Sequence, residues 1–89
     1  MKTMNASELL ERCAATRAHL RDARITAPAD ANRAELRLDF STQAFVALID
    51  ERPPASEALR FAQRILEVHL AEAEAVLDRT AFAPALAAA

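Results

Sequence analysis

The sequence has no glycine, no tryptophan, no tyrosine and only one cysteine. Without glycine there can be no glycine-rich phosphate-binding loop. The residue that most often makes tight β-hairpin turns is also missing. With so few aromatic and β-branched residues suited to a pleated surface, a β-rich domain is disfavoured. One cysteine, Cys13, cannot form an intramolecular disulfide, and a lone thiol fits a reducing compartment. No uncharged apolar run approaches the roughly 18–20 residues of a membrane span. The opening MKTMNASELLER has no apolar stretch of the kind a secretory signal requires. The expected location is therefore cytoplasmic, with no membrane partner. The formal net charge of −2 lacks the strongly basic field of a generic nucleic-acid binder.

What is present is alanine in abundance, the best helix former. The 89 residues suffice for one domain and not for two. A chain of that size can bury a core without disulfide or metal support, with modest reserve. Arginine far outnumbers lysine, a bias associated with GC-rich bacterial genomes.

The stretch 56–79, SEALRFAQRILEVHLAEAEAVLDR, organises the rest. At about 100° per residue, Leu59, Ala62, Leu66, Ala73 and Leu77 form one stripe. Ile65, Phe61, Val68 and Val76 widen it on one side and Leu70 on the other. This arc covers roughly half the circumference, where an ordinary surface helix needs about 100°. It requires two neighbours, or one neighbour and a second subunit. Arg60, Arg64, Glu67, Glu74 and Asp78 mark the wet side at spacings that favour pairing along the helix. Ser56 is an N-cap, and Glu57 and Arg79 complement the helix dipole.

Upstream, Asn5 caps a first helix with Glu8 in the capping-box position, and Met4 and Leu9 form a hydrophobic staple. This helix spans about 5–25, with a narrow stripe of Leu9, Cys13, Thr16, Leu20 and Ala23 and with Leu10 on its shoulder. Pro28 disfavours helix at Ala27 and can open a second helix, about 29–51. Leu36, Phe40, Ala44, Ala47 and Leu48 line one of its sides, and Leu38, Phe45 and Ile49 a second. Glu35, Asp39, Thr42, Gln43 and Asp50 read as its polar strip. Residues 34–40, AELRLDF, also alternate as a strand would. A lone strand leaves its backbone unsatisfied, so helix is preferred, the alternative being an irregular stretch or a strand paired with its copy in a dimer. Pro53 and Pro54 end the second helix. The third spans about 56–81 and stops before Pro84, leaving 82–89 as a loose tail from which Phe82 and Leu86 could dock. Short connections predict an all-α, up-down-up three-helix bundle that oligomerises.

Few constellations carry chemistry. His19 with Asp22 and His69 with Glu72 share helix faces at i, i+3 and could ligate Zn²⁺. Such two-residue patterns recur by chance, and the di-iron pattern needs the reverse order, Glu-x-x-His. No metal or cofactor is assigned. Cys13 lies on an apolar stripe, where a small buried cysteine is ordinary packing and not a nucleophile. Ser7, Ser41 and Ser56 read as caps or surface residues, so no triad is proposed and the chain is not expected to be an enzyme. Arg17, Arg21 and Arg24 form a basic flank, with Arg33 and Arg37 on the next helix. The flank could meet phosphates, but it has no aromatic residues to stack on bases.

The excess apolar surface of helices 2 and 3 is the strongest indication, because such surface marks interaction sites. The expected function is a non-catalytic protein–protein interaction module, an adaptor, chaperone-like or regulatory subunit, that forms a homodimer or binds another protein. Leu38, Phe45, Ile49, Phe61, Ile65 and Val68 are its candidate interface. The alternative is a small nucleic-acid-associated regulator using Arg17, Arg21 and Arg24.

Overall fold

A computed structural model describes residues 5–23, 28–53 and 56–88, apart from the side chains of 23, 28 and 80–88. Among these residues every regular element is a helix: α1 (Ala6–Ala23), α2 (Pro28–Ile49) and α3 (Glu57–Ala88). All three pack against one another. Residues 34–40 lie inside α2, so the alternating pattern there is not a strand. The staple residue Met4 and the docking residues Phe82 and Leu86 lie outside the described side chains.

The helix starts follow from capping chemistry. The Glu8 N–H donates to Asn5 Oδ1 at 2.8 Å, and Asn5 Nδ2 donates to Glu8 Oε1 at 3.1 Å. The pair is reciprocal like a capping box, but Glu8 holds the cap's side-chain amide instead of its backbone N–H. Ser56 Oγ accepts from the Leu59 N–H at 3.2 Å, which caps α3. Pro28 occupies the first turn of α2, where its missing N–H costs no ladder bond. At the end of α2 the Leu48 carbonyl accepts from both Glu51 and Arg52, and Pro53 follows.

α3 runs further than Pro84 predicts, continuing as helix to Ala88. Proline removes one ladder bond, to the carbonyl of Thr80, but the surrounding alanines have the highest helical propensity. Its 32 residues make α3 about 48 Å long, against an overall long dimension of 51 Å. The helix therefore sets the length of the molecule and outruns the 22-residue α2 beside it.

Cross-helix pairs fix the directions. Arg17 pairs with Asp39 and Arg21 with Glu35, while Arg37 pairs with Glu72 and Ser41 with His69. In both sets one number rises as the other falls, so α2 runs against α1 and against α3. The core is formed by Leu9, Cys13 and Leu20 of α1, Ala31, Ala34, Leu38 and Phe45 of α2, and Leu59, Leu66, Leu70, Ala73 and Val76 of α3.

Truncating Phe45 to Ala should destabilise the fold by about 3–5 kcal/mol, because its ring is buried. Truncating the exposed Leu36 should cost under about 0.5 kcal/mol. Urea unfolding of the two variants at low protein concentration checks this ordering.

Candidate functional site

The site is a face shared by α2 and α3. Phe40 is 78% exposed, Phe61 62% and Val68 52%, and Ile65 and Leu36 are exposed beside them. Phe40, Ala44 and Leu48 of α2 line one wall of a groove, and Ala58, Phe61, Ala62 and Ile65 of α3 line the other. Its volume is about 430 Å³. Alanines at 44, 58 and 62 leave the space open that larger side chains there would fill. Ser41 and His69 close one end, with Ser41 Oγ hydrogen-bonded to His69 Nδ1. This bond satisfies a buried hydroxyl that would otherwise be costly to leave unpaired.

The expected interface residues divide. Phe61, Ile65 and Val68 are on the open face. Leu38 and Phe45 are in the core, and Ile49 is half-buried against it. The two sides of α2 are thus the reverse of the expected pair: Leu38 and Phe45 point inward, while Leu36 and Phe40 point out. The cause is a polar seam. Glu35, Asp39 and Thr42 flank Leu38 and read as solvent-facing. In the structure Glu35 accepts from Arg21 Nε at 3.2 Å and Asp39 pairs with Arg17 at 2.8 Å. Thr42 donates to the Leu38 carbonyl at 2.7 Å, and its side chain is also hydrogen-bonded to that of Cys13. Phe40, Ala44 and Leu48, on the other apolar side of α2, line the groove. A matching i, i+4 spacing, Arg17/Arg21 against Asp39/Glu35, is the sequence signal for the true orientation.

The same pairs bear on the arginine flank. Arg17 and Arg21 are each held by an α2 carboxylate, and Arg17 Nε is buried without a hydrogen-bond partner among the described residues. Arg24 lies outside the described residues. The acidic residues of α3 likewise reach across helices. Glu74 accepts from Arg12 Nε and Nη2 at 2.9 and 2.6 Å, and Glu72 pairs with Arg37 at 3.4 Å.

His19 is exposed on α1, while His69 is half-buried and turned to Ser41. Among the described residues no group of three or more His, Cys, Asp or Glu is placed to hold a metal ion. No helix among them is long and apolar enough to cross a membrane. Cys13 is fully buried, and burial pushes its thiol above the ordinary value of 9.0, with the Thr42 hydrogen bond opposing. The thiolate needed for nucleophilic or metal chemistry is disfavoured there. No family model, curated protein or solved structure matches the chain.

A raised thiol pKa means the folded chain holds its proton where the unfolded chain has lost it. Stability should therefore fall as pH rises above about 8.5, the free thiol's range. Urea midpoints from pH 7 to 10 for the native chain and Cys13→Ala should show an extra downward slope only in the former. Native Cys13 should also react with a thiol reagent only as fast as the protein opens.

Proposed function

We propose that this chain is a non-catalytic protein–protein interaction module that associates with its own copy through the α2–α3 face. The observation that carries this reading is the grouping of large exposed apolar side chains, Phe40, Phe61 and Ile65, around one groove instead of scattered singly. Contiguous apolar surface of this kind marks interaction sites, whereas isolated exposed residues need no explanation.

Area supports it. The chain exposes 6169 Å². A folded monomer of 9.7 kDa is expected to expose about 5,100 Å². The difference, about 1,000 Å², resembles the roughly 800 Å² per partner of a standard interface. A second copy is the favoured occupant because the face carries both exposed aromatic rings and an apolar groove to receive them. Such a self-complementary patch is what a two-fold dimer needs. The role that follows is that of an adaptor or regulatory subunit, in which the dimer presents its remaining surface to other proteins.

Light scattering across a concentration series should show a dimer. Phe61→Asp should raise the dissociation constant by about a hundredfold or more, as expected for loss of a central aromatic anchor. It should leave the helical circular dichroism of the monomer unchanged. Phe45→Asp should instead unfold the chain, because its side chain belongs to the core. A wild-type chain that stays monomeric at every concentration would overturn the reading.

A further inference from the structure

We infer that the two copies align with their two-fold axis running along the groove, so that α2 of each lies across α3 of the other. This rests on the self-association proposed above and adds the alignment. Within one chain Ser41 stands beside His69 and Arg37 beside Glu72, so each step forward on α2 matches a step back on α3. Continued into the turn that follows Ile49, this register brings Asp50 and Glu51 near the level of Arg60. All are exposed, as is Arg64 one turn on, and none of the four makes an ion pair within the chain among the described residues.

An axis along the groove preserves these levels while exchanging the helices. Asp50 and Glu51 of one copy then face Arg60 and Arg64 of the other, and symmetry repeats the contact. The same operation sets Phe61 level with Leu48, and Ile65 level with the small Ala44, of the second copy. An axis across the helices would instead lay α2 on α2 and carry the acidic end away from the arginines. Opposite charges at an interface rim select alignment and suppress wrong ones.

The test uses two full-length variants, Asp50→Lys/Glu51→Lys and Arg60→Glu/Arg64→Glu, studied singly and mixed. Each alone places like charges together twice and should weaken the homodimer by about tenfold or more. A one-to-one mixture restores both contacts and should assemble as a heterodimer near wild-type affinity. Circular dichroism verifies that each variant is as helical as the wild type. A dimeric wild type whose charge variants fail to recover on mixing would overturn the alignment while leaving self-association standing. A wild type that is monomeric throughout would overturn both.

Discussion

The packing of Leu66, Leu70 and Ala73 of α3 against Leu38 and Phe45 of α2 is the contact on which the rest depends. A domain of this size has little stability to spare, and these side chains supply much of the apolar burial available. Once they are buried, the rotation of both helices is fixed. The inner strip of α2 faces inward, so its opposite side, with Leu36 and Phe40, must face out. On α3 the arc is too broad even for α1 and α2 together, so Phe61, Ile65 and Val68 remain uncovered. The open face follows from the width of the two apolar arcs.

The contact between α1 and α2 has a different character. Cys13, Thr16 and Leu20 give α1 only a narrow apolar stripe, and its margins are filled by the Arg17–Asp39 and Arg21–Glu35 pairs. Pairs as exposed as Arg21 contribute little net stability. Their effect is on register: sliding α1 by one turn would bring Arg17 beside Glu35 and leave Asp39 unpaired. An apolar seam sets how strongly two helices adhere, and this polar margin sets where.

Much of this fold is legible in the residues. Proline at 28 and at 53–54 divides the chain, Asn5 and Ser56 mark helix starts, and the stripe from Leu59 to Leu77 names the side of α3 that is covered. α2 is less legible because both its sides are apolar. Periodicity alone cannot say which is inner, since Glu35, Asp39 and Thr42 look solvated until Arg17, Arg21 and Cys13 are placed opposite them. The end of α3 was hidden for a related reason: Pro84 argues for a stop and its alanine neighbours against one, and a local rule cannot weigh the two. On the open face, Phe61, Ile65 and Val68 are readable as excess, whereas Phe40 needs the rotation of α2.

The absence of glycine reaches beyond turn chemistry. No described residue has a positive φ, and α2 ends before Pro53 without the left-handed cap common at helix C-termini. A chain with four prolines and no glycine also explores fewer conformations when unfolded. Part of what holds this bundle together is therefore no contact in it at all, but the stiffness of the chain it would otherwise become.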